Sequence, residues 1–299
     1  MTAALDRAPA PRRRRIVAEP AIAIPLAILA LMALAAIAAP WLGTLEPTAI
    51  NPAMRNKAPG MVEALRLDDG ATRSFTHWMG TDSLGRDVWS RIVYGARVSL
   101  LVGALVAIVA TGVGLAIGLV AGYLRWLDAI VMRLMDGLMA IPPILLAIGV
   151  VSLSRAGLLA VIVAISVPEV PRVVRLVRSV VLTIREEPYV EAAVTAGTPL
   201  GPLLMRHVLP NCVAPLIVQA TFVCASAIVV ESILSFLGVG VPPDVPSWGN
   251  VMAEGRQYFR LFPGQILFPG LFLALTVLCV NLAGDALRDR LDPKLKRRV

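Results

Sequence analysis

Side chains able to do covalent or acid–base chemistry are sparse and scattered in this chain of 299 residues. Cys212, Cys224 and Cys279 lie in apolar sequence without metal-ligand spacing and read as small buried hydrophobes. The lysines are Lys57, Lys294 and Lys296, and none follows a glycine. A phosphate-cradling Gly-rich loop needs such a lysine, so the chain does not hydrolyse ATP itself. No His-Glu-x-x-His or Gly-x-Ser-x-Gly occurs, which leaves an intramembrane enzyme without support. Two carboxylates stand inside apolar runs, Glu169 and Glu231. An intramembrane carboxylate is a candidate for ion coupling. Glu169 has Arg172 beside it and reads as a local ion pair. Glu231 falls near the outer end of its run, where a structural reading has it reaching water or a helix-terminal partner.

The most informative stretch is therefore one that offers a handle. It runs from Arg185 through Glu191-Ala192-Ala193-Val194-Thr195-Ala196-Gly197 to Arg206-His207-Val208-Leu209-Pro210-Asn211. Glu186 and Glu187 carry the negative charge that a helix N-terminus favours, and Pro188 suits the first helical position. Gly197 suits the residue after the helix, and Pro199 prevents continuation. The pattern predicts a helix over 188–196. Tyr189, Ala192, Ala193 and Ala196 recur at i, i+3, i+4 and i+7 as one apolar face, flat enough for close approach to another surface. Glu191 and Thr195 lie on a different face. A second reading is an amphipathic helix on the membrane surface, though alanine buries little area for that purpose. Arg206 and His207 begin the next apolar run, positioned to anchor headgroups or pair with a partner.

The elements that would position this handle are membrane spans. The chain is 57% hydrophobic and 16% charged, and its mean hydropathy is +0.76. Soluble domains carry about 25% charged residues. The formal charge of +8 belongs with anionic headgroups and topology rather than with nucleic acid. Apolar runs long enough to cross about 30 Å of hydrocarbon occur at about 21–42, 99–124, 132–153, 156–174, 208–237 and 266–287. Arg12 to Arg15 before the first run could open a secretory signal, but the run is longer than a signal core and reads as a retained span. Gly103, Gly112, Gly114, Gly118 and Gly122 form a small-residue stripe in the second run. Pro142-Pro143 should kink or break the third, and Pro168, Glu169 and Pro171 interrupt the fourth. The organisation is a basic tail 1–18, a first span 19–43, an external loop 44–98, a five-helix core 99–288 holding a cytoplasmic loop 178–208, and a basic tail 289–299. Lys and Arg concentrate in the two tails and the 178–208 loop, which places both termini and the handle in the cytoplasm. His77 and His207 then lie on opposite sides and share no site.

These residues resemble a known family. Glu191-Ala192-Ala193, Gly197 and Val208-Leu209-Pro210 are similar to the coupling loop of ATP-binding-cassette (ABC) importer permeases. Arg206-His207 and Asn211 resemble its dipeptide/oligopeptide/nickel branch. So do Gly80-Thr81-Asp82 with Gly85-Arg86-Asp87, Ser90-Arg91 and Gly95 to Leu100, then Asp128, Met132-Arg133, Asp136 and Ile141-Pro142, and then Leu234 to Gly238 with Pro242-Pro243 and Ser247-Trp248-Gly249. The likeness covers roughly residues 78–290, and the long loop before the second span resembles the C-type subunit. Leu124-Arg125 replaces a usual glycine pair, and Pro199 and Pro202 crowd the loop after Gly197. The resemblance implies an all-α polytopic chain with six transmembrane helices and the type I importer permease fold. It implies ATPase coupling through Tyr189, Glu191, Ala192, Ala193, Ala196, Gly197, Arg206 and His207. It further implies a second permease subunit, two ATPase subunits that hold ATP and Mg, an external solute-binding protein and membrane lipid as partners. No cofactor or metal is implied on this chain. The site is the bacterial inner membrane and the cargo di- or oligopeptides or a related small solute. The alternative is an ion-gradient-driven secondary transporter, with Glu231 and Glu169 as its only coupling candidates.

Overall fold

The computed structural model describes residues 20–66, 72–153 and 157–291. The basic segments 1–19 and 292–299 lie outside the described residues. Helix α1 (Pro20–Ile37) is followed by a hairpin of β1 (Met61–Arg66) and β2 (Thr72–His77), antiparallel with Met61 opposite His77. Then come α2 (Val88–Tyr123), α3 (Arg125–Met139), α4 (Pro143–Leu153), α5 (Leu158–Ile184), α6 (Pro188–Thr195), α7 (Leu200–Leu203), α8 (Leu209–Phe236), α9 (Trp248–Gly255) and α10 (Gly264–Leu291). By length and composition α2, the stretch Leu200–Phe236 and α10 are long and apolar enough to cross a membrane. The α3–α4 pair passes the same test only when taken together, bent by 93°.

The pair α2 and α5 forms the centre. A side-chain carbon on Gly114, Gly118 or Gly122 would lie 2.5, 2.7 or 2.8 Å from Cβ of Val173, Val177 or Val181. The two ladders advance together at i, i+4 and i+8, so the helices run parallel with their backbones in close approach. Gly103 uses the same device against Ile228 of α8, whereas Gly112 faces open space. Val102, Val106, Ile165, Val177, Val223 and Leu234 fill the core around this axis.

Several elements differ from the sequence expectation, each for a physical reason. Helix α2 begins at Val88, not Ser99, because Asp87 caps it by accepting from Ser90 N at 2.7 Å and Ser90 Oγ at 2.6 Å. Arg97, which falls inside the lengthened α2, turns back and donates to the last carbonyls of α1, Ala36 at 2.5 Å and Ile37 at 3.0 Å. The third run is broken outright at Pro142-Pro143. Amphipathic α3 is held to α5 by Arg178 to Asp128 and by Arg175 to Asp136 at 2.6 Å. The fourth run extends to Ile184, well past Val174 and through both prolines, because the valine ladder fixes that segment on α2. The loop expected from 178 therefore begins only at Arg185. The segment 44–98, expected to be an external loop, carries the β-hairpin inside a chain expected to be all helical.

That region is tied down by buried charge. His77 bridges Asp87 at 2.9 Å and Glu63 at 3.0 Å. Asp82 accepts from Arg86 Nε at 2.7 Å and from Arg91 at 2.6 Å, and both arginines also reach Glu254 at the end of α9. Gly85 has φ of +79°, and a Cβ there would strike the Asn51 carbonyl, so only glycine closes this turn. Burial works against the charge on Asp82, but the Arg91 and Arg86 guanidiniums outweigh it and hold its carboxyl below the usual carboxylate range.

Two outcomes follow. Gly118→Leu should force α2 from α5 at an overpacking cost of about 1–3 kcal/mol, read as a lower melting temperature in detergent, while Gly112→Ala leaves melting unchanged. Equal melting of the two variants would refute the ladder. Because Asp82 binds its proton more weakly folded than unfolded, its stabilisation is complete above the ordinary carboxylate pKa and is lost as pH falls through and below about 4. A melting series from pH 7 to 3 should show this loss, and Asp82→Asn should flatten it. An undiminished acid dependence in that variant would contradict the assignment.

Candidate functional site

The handle stands at the end of α5. That helix closes on Arg185, and the chain turns through Glu186 and Glu187, whose amides donate to Thr183 O at 3.3 Å and Ile184 O at 3.1 Å. Glu187 takes the N-cap position of α6 in extended geometry with Pro188 first in the helix. At the far end Thr198 N donates to Ala193 O at 3.1 Å and Gly197 N to Val194 O at 2.9 Å, with Gly197 at φ +79°. These two bonds form a Schellman stop, which needs the left-handed residue that glycine supplies. The Thr195 hydroxyl turns back to the Glu191 carbonyl at 2.9 Å.

One side chain of this helix is buried. Val190 is 1% exposed, whereas Tyr189 is 45% and Val194 is 49% exposed. Glu191, Ala192 and Ala196 are exposed as well, and Ala193 is half-buried. The small face expected from the sequence is thus open, enlarged by Val194. Val190 was missed because a single valine one position off the alanine stripe carries no periodic signal.

Arg206 and His207 sit in a π-helical turn, Leu204–Val208, closed by Leu209 N to Leu204 O. Pro210 explains the turn, since it lacks the N–H that would bond the Arg206 carbonyl in an α-helix. Asn211 then joins the pieces, donating to the Tyr189 hydroxyl at 3.1 Å and to the His207 carbonyl at 2.8 Å. The structure therefore brings Tyr189 and His207 together through Asn211 and places Glu191, Ala192 and Ala196 on the free surface. Leu203 just before the π turn and Leu204 and Val208 within it pack inward.

The two apolar-run carboxylates are elsewhere. Glu231 does not reach water: it is fully buried, bonded by Ser235 at 2.8 Å, Ser99 at 3.3 Å and Ser232 at 3.4 Å. Those hydroxyls come from α2 and α8, and Ser99 also accepts from Trp248 N of α9 at 3.4 Å. Asn250 holds the turn before α9 through the Val241, Pro242 and Val245 carbonyls. Glu231 is thus the centre of a polar clasp joining three helices. Glu169 pairs with Arg172 at 3.2 Å and accepts from Ser226 of α8 at 2.9 Å.

A family profile described as "Binding-protein-dependent transport system inner membrane component" matches residues 114–297, well over half of the chain. The chain belongs to this family. It is a membrane-embedded permease subunit of an ATP-driven importer, a transport component whose ATPase activity lies in partner subunits. The permease is 52% identical over 225 residues to a probable peptide ABC transporter permease protein, y4tQ, of Sinorhizobium fredii, covering 75% of this chain and 77% of that one. It is 43% identical over 283 residues to a putative peptide transport system permease protein of Brucella suis, covering 95% and 91%. It is 41% identical over 272 residues to the dipeptide transport system permease protein DppC of Alkalihalophilus pseudofirmus, covering 91% and 85%. Family membership removes the ion-gradient alternative for Glu231 and Glu169.

Val190→Ala should loosen α6 without disturbing the α2–α5 axis. Two buried methyl groups at about 0.8 kcal/mol each amount to roughly a tenfold shift in local opening. Hydrogen exchange of the 190–198 amides should accelerate by about that factor while α2 amides keep their protection. Unchanged exchange at 190–198 would show that Val190 is not the anchor.

Proposed function

We propose that this permease imports peptides and that α6 is where an ATPase subunit grips it. The observation that carries the reading is the exposed, rigidly stopped helix Pro188–Thr195, fastened at one end to α5 and through Tyr189 and Asn211 to α8. Glu191, Ala192, Ala196 and Gly197 form its contact surface, with Ala193 and Tyr189 at the edge and Arg206-His207 beside it. The named relatives, peptide and dipeptide permeases, support peptide cargo.

In this reading six spans cross the membrane. The basic tails and the 185–208 region are cytoplasmic, and the β-hairpin faces the external solute-binding protein. A second permease completes the path, lipid surrounds both, and two ATPase subunits hold ATP and Mg. The bent α3–α4 pair counts as one span, and α1 and α5 as two. ATP closure of the ATPase pair displaces α6. Since α6 continues α5, and α5 is locked to α2 by the glycine ladder, the core rocks as one body between inward-open and outward-open arrangements. Nucleotide drives this only because the ATPases bind α6 with different affinity in their two states.

The test is ATP-driven uptake of labelled peptide into proteoliposomes holding the assembled transporter and its binding protein. Uptake should require internal ATP and be indifferent to ion gradients; uptake driven by a gradient without ATP would overturn the reading. Gly197→Val puts a β-branched residue in a left-handed conformation at a cost of about 1–2 kcal/mol, and nothing lies near enough to its Cβ to clash. It should reach the membrane at normal abundance yet lose most uptake, whereas Gly197→Asn keeps it. Glu191→Lys should weaken retention of the ATPases on affinity purification. Full uptake by Gly197→Val, or full retention with Glu191→Lys, would contradict the coupling role.

A further inference from the structure

Two cavities adjoin along one side of the permease. The larger, about 650 Å³, lies between α5, α8 and α10 and is lined by Asn211, Gln219, Phe222 and Arg288 among others. The second, about 340 Å³, continues past the shared Phe222 to Ser226 and Asn281. On α8 the lining residues Asn211, Pro215, Gln219, Phe222 and Ser226 recur at spacings of three and four, so they share one face. Gly284 sets the floor: a Cβ there would lie 2.1 Å from Thr221 Oγ1, so α10 meets α8 directly beneath the groove.

Gln219 and Asn281 stand out. Both are half-buried, and among the described residues neither carboxamide has a hydrogen-bond partner. Gln219 is ten residues from the start of α8 and Asn281 ten from the end of α10. At 1.5 Å per residue Gln219 sits about 15 Å along α8 from the handle end, near half the thickness of the hydrocarbon, and Asn281, beside Phe222 and Ser226 and three residues outward of the Gly284–Thr221 contact, lies about a turn farther along the groove. Unpaired amides at that depth are costly against lipid. The cavities beside them fall in the size range of ligand pockets rather than of packed helix contacts.

We infer that this groove is the permease's own half of the cargo path, and that Gln219 and Asn281 bind the backbone of the passing peptide at mid-membrane. A carboxamide both donates and accepts, as does each peptide unit, so the pair reads backbone and ignores side-chain identity. Ser226, held by Glu169, continues the polar wall outward. This rests on the peptide-import reading above.

The experiment uses the whole transporter in proteoliposomes, with Cys212, Cys224 and Cys279 replaced by alanine. Single cysteines are placed as Gln219→Cys, Asn281→Cys and, outside the groove on α10, Leu271→Cys. The probe is a charged, membrane-impermeant maleimide. Positions 219 and 281 should label in the nucleotide-free state and slow at least tenfold on ATP–vanadate trapping or with excess dipeptide, while position 271 stays unlabelled. Reaction at 219 and 281 only with a lipid-soluble maleimide would assign them to lipid. Reaction with neither reagent would bury them against the second permease. Either result overturns the inference. Gln219→Leu and Asn281→Leu provide a second readout: peptide KM should rise about three- to tenfold each, the loss of one neutral hydrogen bond, with ATPase retention unchanged. Failure of the unmutated transporter to import peptide would sink the functional reading itself, whereas normal import with unlabelled positions would sink only this inference.

Discussion

Gly114, Gly118 and Gly122 lie so close to Val173, Val177 and Val181 that no side chain fits between α2 and α5. Everything else in the molecule hangs on that seam. Hydrocarbon gives no hydrophobic force between helices, so tight backbone approach and dispersion must hold a bundle together. β-branched valines with few rotamers facing glycines with no side chain supply that contact at little entropic cost. The outcome is a two-helix axis whose ends cannot move independently. From one end of α5 comes the handle; from the opposite end of α2 comes the buried charge cluster of Asp82, Arg86, Arg91 and Glu254.

The polar groups serve this axis. The cluster around Asp82 and the hydroxyl clasp around Glu231 both tie α9 to α2, one through Glu254 and the other through Trp248. Buried charges of this kind add little net stability but fix a single arrangement, because each left alone would be costly. At the opposite end, Asn211 ties the handle to α8 through two hydrogen bonds. The chain is therefore rigid at both ends and grooved on one side.

Much of this was legible in the sequence where the signal is local. Pro188, Gly197 and Pro199 mark the handle because each acts on the backbone at its own position, and the glycine stripe was visible although its partner was not. Long apolar runs identified α2, α8 and α10. What failed to read depends on distant residues. Arg91 and Arg97 fell before the expected start of the second span because their acceptors, Asp82 and Glu254 for one and the α1 carbonyls for the other, lie elsewhere. For Glu231 the sequence left open water or a helix-terminal partner, because its hydroxyl from Ser99 is 132 residues away. Helix α5 looked short because Pro168 and Pro171 weigh against helix locally, whereas packing on α2 overrides them. The segments Met61–Arg66 and Thr72–His77 are too short and mixed for periodicity to separate strand from loop.

The central claim is that handle and core move as one body. The most direct measurement is the distance between spin labels at Ala192 on α6 and Leu159, at the opposite end of α5, in the assembled transporter with and without ATP–vanadate. The account predicts one distance common to both states, since α6 transmits motion without bending against α5. A change approaching one helical turn, about 5 Å, would show that the handle hinges at Arg185–Glu187 and that the core is not driven as a rigid unit.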